Sequence, residues 1–400
     1  MPRPRLLVLN QYYWPGIEAT ANLLADLCEA LATQYDVTVV AGASPGQPHR
    51  TERNGVAIVR VRSTAFDRTM LSRRAANYLT YVVGAVRAAF VSQRPDVIMC
   101  MTDPPFIGAA AQLVARRFRV PLVAVVQDVF PEIAVKLGRI RNPVAIAVLG
   151  NLIVSSLNFA DRVVVIGETM RLRIEAKGVE PSRIRVIPNW GDTDGIVPRP
   201  QDNSWAGEHC LTGRFVVMHS GNVGHAQALD SLVRATTLLR DLDDLRVPII
   251  GTGARYAQLT ELASTLEADA VEFLPYQARE QLSLSLSSAH VHYVGLARGL
   301  AGYIVPSRMW GVLAAGRPVI AAAEEESETA QVVRSAGCGL VVRPGDPLAL
   351  AVAIRECHEG RHDLEAMGRR ARAFAERESE RSIAVDRYRR VLDEVRAIRH

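Results

Sequence analysis

Cysteine is scarce and unpaired in this 400-residue sequence: Cys28, Cys100, Cys210, Cys338 and Cys357 are odd in number and scattered, with no CxxC pair. That argues against a disulfide framework or a zinc site and for reduced thiols in a cytosol. Long apolar runs are missing too, since none reaches the roughly 18 to 20 residues that a membrane span needs. The opening MPRPRLLVLNQYYWPG has too short an apolar stretch for a signal peptide and reads as a first buried strand. No GK[ST] follows any glycine loop, which excludes a Walker site, and GTGARYAQL (251–259) has only part of the GxGxxG spacing, which argues against a nicotinamide cofactor. Aromatics make up 6% of the chain and do not interleave with the basic residues, so a nucleic-acid partner is not expected. There is no repeat at a period of about 20–50 residues.

What is present is aliphatic and alternating. Continuously apolar runs, RLLVLN (5–10), DVTVVAG (36–42), VAIVRV (56–61), DVIMCM (96–101), PLVAVVQD (121–128), DRVVVIG (161–167) and IRVIPN (184–189), are spaced by helical segments. They predict strands buried on both faces of a parallel sheet, hence a doubly wound α/β domain. The Gly-, Pro- and Asp-rich stretch 190–214 reads as a linker. A second series follows at 215–221, 246–253, 271–276, 289–296, 317–323 and 338–345, and the end of the chain reads as charged helix. The expected division is 1–195, 196–375, and a C-terminal helix 376–400 that crosses back to the first domain. In such folds ligands sit at the carboxyl ends of the strands.

Charge is asymmetric. Residues 1–190 carry a net +9 and the rest a net −4. A basic half suits an anionic partner, either a membrane surface or a lipid-phosphate acceptor. The segment 66–95 sets Arg68, Arg73, Arg74, Arg87 and Arg94 among Leu79, Val82, Val83 and Phe90. It could lie in a membrane interface or pack on its own sheet.

Three stretches carry candidate chemistry. In GYIVPSRMWGVLAAGRPVIAA (302–322), Pro306 and Ser307 precede a helix over 308–315 that Gly316 stops. With Ser307 as N-cap, the first turn would offer amides to a phosphate and Arg308 a full charge. In SGNVG (220–224), Gly221 and Gly224 would let the backbone approach a ligand, with the amides of Asn222 and Val223 facing a phosphate. A strand running into Leu274, Pro275 and Tyr276 can hold a base in its end loop. Each pattern also occurs as an ordinary strand–helix turn.

Their order, SGN-x-G, FLPY, VPSR, LAAGRPVI, CGLVVRPGDPLALA, resembles the retaining family 4 glycosyltransferases of the GT-B fold. The pieces LNQYYWPGIEATANLLADLCEAL, VVQDVFPEIAVKLG and VIPNWGDTD look like the branch acting in O-antigen and extracellular polysaccharide assembly. The resemblance implies two Rossmann-like domains facing a central cleft. It further implies a nucleotide-sugar donor held by Gly221, Asn222, Val223, Gly224, Leu274, Pro275, Tyr276, Pro306, Ser307 and Arg308. On the acceptor side it places Tyr13, Trp14, Gly16, Glu18 and Gln127. Asp128 and Glu132 would orient or deprotonate the acceptor, and Arg308 would stabilise the leaving diphosphate.

The sequence departs from the family where Asn222 and Gln227 replace a clamping Arg/Lys pair, and where Tyr303 and Gly311 replace paired glutamates. Glu328 is the favoured substitute among the glutamates at 324–328 for ribose or sugar hydroxyls. Asp192 and Asp194 have a metal-bridging spacing but fall in the linker, so no metal or other cofactor is expected. The protein is expected to be cytoplasmic, peripheral on the inner face of the membrane, with a lipid-diphosphate-linked acceptor. Competing readings are a donor-binding scaffold subunit of a polysaccharide complex and another GT-B enzyme such as a nucleotide-sugar 2-epimerase. A phosphorylase would need a cofactor lysine, and lysine is confined to Lys136 and Lys177.

Overall fold

The structure, a computed structural model, describes residues 2–16, 19–62 and 71–398. The chain divides into two compact units, Met1–Pro188 with Ala384–His400, and Asn189–Ile383.

The first unit holds an eight-stranded sheet of order β3-β4-β2-β1-β5-β6-β7-β8. Its strands are β1 (Arg5–Leu9), β2 (Asp36–Gly42), β3 (Arg50–Arg53), β4 (Val56–Val61), β5 (Val97–Cys100), β6 (Leu122–Val126), β7 (Arg162–Val165) and β8 (Ile184–Val186). All pair in parallel except β3, which runs antiparallel to β4. The apolar runs sit where helices cover both faces: β5 and β6 are buried throughout. β3 is the one strand the apolar pattern does not announce, because RTER is polar and lies at the sheet edge. Its signal is the following Asn54–Gly55 pair, both at positive φ (48° and 79°), the two-residue hairpin turn that matches strand twist.

The second unit holds a six-stranded parallel sheet of order β11-β10-β9-β12-β13-β14. Here β9 is Phe215–Ser220, β10 Leu245–Ile250, β11 Val271–Leu274, β12 Val291–Gly295, β13 Val319–Ala322 and β14 Gly339–Val342. In both sheets the chain winds outward from a central pair and then reverses. The switch point lies between β1 and β5 in the first unit and between β9 and β12 in the second, the places where open α/β sheets leave a crevice.

The boundaries fall at Pro188 and Ile383 rather than at 195 and 375 because 190–200 packs into the second unit. Gly191 donates its amide to Ser379 O (2.9 Å). Arg372 donates to Thr193 O (2.9 Å), Ile196 O (2.7 Å) and Ala314 O (2.6 Å). The expected linker is therefore partly structured. Asn203 caps a short helix, Ser204–Glu208, through bonds from the amides of Trp205 and Ala206, and Trp205 is buried. The last helix, Arg381–Ile398, belongs with the first unit from Ala384 on. There the Tyr35 hydroxyl donates to Asp393 (2.6 Å), and Arg162 and Arg185 both reach Glu394.

Candidate active site

In the second unit, the loops leaving β9 and β10 are stacked backbone on backbone. Gly221 donates its amide to Ile250 O (2.8 Å) and Gly251 donates to Leu274 O (2.8 Å), each handing the chain to the next strand's end. Gly251 (φ +132°) admits no side chain, since a Cβ there would lie 2.0 Å from Gly221 O. A Cβ on Gly253 would lie 2.3 Å from Val223 O. The pair Gly251 and Gly253 does not complete a dinucleotide fingerprint. Its role is to let two strand-end loops touch.

This stacking corrects part of the expected phosphate cradle. Val223 is fully buried and its amide donates to Thr252 O (2.9 Å). The Gly224 amide donates to the Gln227 side chain (3.1 Å). Neither amide is available to a phosphate, and Gln227, standing where the family has its lysine, closes the loop on itself. Asn222 is exposed at the tip.

Arg308 takes the central place. It opens a short helix, Arg308–Ala314, and packs over Gly221, whose Cβ would meet Arg308 Cδ at 3.3 Å. Its Nη2 donates to Gly295 O (2.8 Å), the last residue of β12. Its Nε is buried with no protein acceptor. Burial pushes the guanidinium down to about 10, with the phenols of Tyr293 and Tyr276 opposing. A buried donor left unmet costs about 1–3 kcal/mol, more when it belongs to a cation. An incoming anion would remove that cost. Arg308 therefore bridges the two sides of the switch point and keeps one charged donor open. Ser307 does not act as the expected cap: its backbone is already helical and its side chain makes no capping bond. The positive charge at this turn comes from the Arg308 side chain, which folds back over the loop.

Around it, Tyr276 is half exposed and lies against Gly251, with 3.4 Å between Tyr276 Cε1 and the Cβ position. Burial raises its phenol. Pro275 O accepts from Gln277, whose Oε1 holds the indole of Trp205 (2.9 Å), so the loop after Leu274 is braced from below. Pro306 is buried just ahead of the helix. Glu324 accepts from the Gly299 amide (2.9 Å) in the loop after β12, and Glu325 pairs with Arg334 on the following helix. Glu328 opens the helix Glu328–Ala336 and is half-buried. At Gly311, a Cβ would lie 3.6 Å from Ile196 and Leu286, an apolar setting. His219, one residue before the end of β9, was missed in the sequence. It is fully buried, and burial, with Arg308 beside it, holds it neutral.

In the first unit the strand ends carry carboxylates. Asn10, after β1, accepts from the Asp103 amide (3.2 Å), and the Gln11 amide donates to Asp103 O (2.8 Å). Thr20 Oγ1 donates to Asp103 Oδ2 (3.3 Å). Asp128 follows β6 and lines a cavity of about 30 Å³ with Cys100, Thr102, Phe130 and Lys177. Burial first, then the nearby Asp103 carboxylate, raises Asp128 from 3.8 to about 7, against the pull of Arg139. Such a group is close to half ionised at neutral pH, the condition that suits proton transfer. Asp103 carried no signal in the sequence beyond its place in the loop after β5.

Other expected residues are placed differently. Glu132 Oε1 accepts from Lys177 Nζ (2.6 Å), and the lysine side chain is only 10% exposed. Held by that ion pair, Glu132 braces the strand-end loop. Tyr13 is buried facing the core, where burial, then the Cys28 thiol and Glu29, raises its phenol. Trp14 lies under Arg53 (4.8 Å) and Arg60 (5.7 Å), and its carbonyl accepts from Arg60 (3.0 Å). The Gly16 amide turns back onto Tyr13 O (2.9 Å), and Gln127 is buried. Glu18 lies outside the described residues, as do Arg68 and the side chains of Arg73 and Arg74.

Residues 18–190 match the family described as glycosyl transferase 4-like domain, and 206–374 match glycosyl transferases group 1. The chain is 26% identical over 321 residues to the probable glycosyltransferase WbjE of Pseudomonas aeruginosa, covering 80% of each chain. Its fold is shared with Anabaena HepE in complex with UDP (TM-score 0.76, 16% identity, 98% of this chain and 100% of that one). It is shared also with WaaG, a glycosyltransferase involved in lipopolysaccharide biosynthesis (TM-score 0.72, 13% identity, 95% and 98%). Two matched domains that together span most of the sequence, each built on a parallel sheet, place this chain among the family 4 glycosyltransferases of the GT-B fold.

Proposed function

We propose that the protein moves a hexosyl or N-acetylhexosaminyl group from a nucleotide-sugar to a lipid-linked acceptor in cell-surface polysaccharide biosynthesis, with retention and without a metal. The observation that carries this reading is Arg308: a buried cation at the switch point of the second sheet with its Nε open. A diphosphate is the anion that fits beside such a strand end. As the donor's bond to the sugar breaks, charge builds on the leaving diphosphate, and Arg308 would stabilise it where a divalent ion does so in other enzymes. Tyr276, lying against Gly251, would take the base, and Glu328 the ribose or sugar hydroxyls. Asp128, poised near pH 7, would take the proton from the acceptor hydroxyl. In a retaining transfer the acceptor attacks from the face that the nucleotide leaves.

The neutral-range titration of Asp128 favours turnover over a donor-binding scaffold, which has no use for a strained carboxyl group. The test is a panel of UDP-, GDP- and TDP-sugars with a lipid-diphosphate acceptor, read by nucleotide release with and without a chelator. Release with one donor, undiminished by chelation and giving the donor's anomer in the product, is the expected result. Tight donor binding with no turnover on any acceptor would leave the scaffold reading standing. Loss of turnover on chelation would refute metal independence.

A further inference from the structure

Among the described residues of the first unit, the helix Pro143–Phe159 carries an exposed apolar face. Val144, Val148 and Leu152 fall on one stripe at helical spacing and are 69%, 54% and 43% exposed. On the preceding segment Val135 is also exposed, and on the neighbouring helix Ile107–Phe118 so is Leu113. Single exposed aliphatics mean little, whereas a stripe of them with its rim marks an interaction face.

The rim decides what covers it. Between Glu132 and Asp161 the chain has no acidic residue, while Lys136, Arg139 and Arg141 are all exposed at the start of the helix. At the helix's far end the Arg116 guanidinium sits over the Phe159 ring (5.0 Å). Charges of one sign around an apolar stripe fit a surface that is oily and anionic together. A protein partner of the ordinary kind would need no such uniformity. The helix is firmly started: Asn142 Oδ1 accepts from the amides of Val144 (2.9 Å) and Ala145 (3.1 Å), and Pro143 stands at the first position. No helix among the described residues is long and apolar enough to cross a membrane, so this one would lie in the interface plane.

We propose that the amino-terminal half of Pro143–Phe159, with Lys136 and Arg141 at its rim, is the surface on which the protein rests on an anionic bilayer. Gly150, midway along the helix, comes within 3.8 Å of Pro131 at its Cβ position, and Pro131 belongs to the strand-end loop of Asp128. Docking through this helix holds that loop at the lipid surface, where a lipid-linked hydroxyl or phosphate emerges. The segment 66–95 is the weaker candidate. It also exposes Leu79, Val83 and Val91, but Val91 lines a cavity with Arg5 and the acidic Asp36 at the amino ends of β1 and β2, away from the strand-end loop of Asp128.

This inference builds on the reading of a lipid-linked acceptor, but the test uses vesicles that contain neither donor nor acceptor, so docking and transfer can fail separately. The full chain is sedimented with phosphatidylglycerol/phosphatidylcholine vesicles and with phosphatidylcholine alone at about 0.1 M salt. Val144→Glu with Val148→Glu is expected to lower partitioning at least about tenfold. An acid at Val144 sits in the first helical turn, where it favours the helix, so unfolding does not explain the loss. Lys136→Gln and Arg141→Gln are each expected to lower it about fivefold on anionic vesicles. Val91→Glu is expected to leave it unchanged. The proposal is overturned if the wild type ignores anionic vesicles or if the double glutamate variant partitions like the wild type. It is equally overturned if Val91→Glu abolishes binding, or if velocity sedimentation finds a wild-type dimer that the double variant splits.

Discussion

Replacing Asp128 by Asn should make the protein more stable and less active at once. Asp128 titrates near 7 in the fold against 3.8 for an ordinary aspartate, chiefly through burial and secondly through Asp103. Its pKa is raised on folding, so between those two values the native state holds a proton that the unfolded chain has released. Stability therefore falls as pH rises through this window, and the loss is complete above about 7. About three units correspond to at most about 4 kcal/mol; partial solvent contact of this half-buried group brings that nearer about 2 kcal/mol. Asparagine keeps the shape and removes the charge. At pH 8 the variant should melt about 4–8 °C higher in the transition of the first unit. At pH 5, where native Asp128 is already protonated, the gap should shrink to under about 1 kcal/mol. Calorimetry at both pH values reads this, provided that the two units' transitions are resolved. Transfer should drop about 10²-fold or more, the usual worth of a positioned base. Equal or lower melting of Asp128→Asn at pH 8 would refute both the buried charge and the argument for proton transfer built on it.

Arg308→Gln should cost about 10²–10³ in kcat and weaken binding of the nucleoside diphosphate that the donor panel selects, measured by calorimetric titration, because a charged donor without a protein acceptor at the β9–β12 switch is gone. Gly253→Ala, whose Cβ would meet Val223 O at 2.3 Å, should lose donor binding and about 1–3 kcal/mol of stability. Gly207→Ala, with nothing nearer than 4.0 Å, should change neither in the same melting and titration series. Glu132→Gln should destabilise the first unit by about 1–3 kcal/mol by stranding the Lys177 ammonium, and adding Lys177→Met should recover much of that in a denaturant double-mutant cycle.

The strands were legible because a doubly wound sheet imposes one strong rule, apolar on both faces, which central runs such as 96–101 and 121–128 obey, while toward the edges β11 exposes Glu272 and β14 is only half-buried. The elements that escaped do not follow that rule. β3 is polar because it sits at an edge, and only Asn54–Gly55 betrays it. The helix at Ser204–Glu208 hides in a stretch that looks like linker, although Asn203 before Trp205 is a capping signal. Site residues were legible in proportion to how local their chemistry is. Arg308 could be found because a basic residue opens a helix after a strand. The fates of the Val223 and Gly224 amides depend on Thr252 and Gln227, and no one-dimensional pattern says which carbonyl will claim an N–H. Tyr13 failed for a related reason: an aromatic in a Gly/Pro loop looks exposed until Cys28 is known to lie beneath it.

The two units apply one geometry to opposite charges. In each, a parallel sheet ends its strands at a switch point and delivers unlike groups to the same edge without long loops. In the second unit the edge is lined by glycine backbone and the Arg308 guanidinium, whose Nε has no protein acceptor. In the first, Asp103 and Asp128 come from adjacent strands, and their mutual repulsion, added to burial, lifts one of them toward neutrality. An anion-binding edge that held the raised carboxylate would lose affinity for a diphosphate. A proton-accepting edge that held the arginine would drop the carboxyl back toward its ordinary value and lose basicity. Keeping cation and base on separate sheets preserves both.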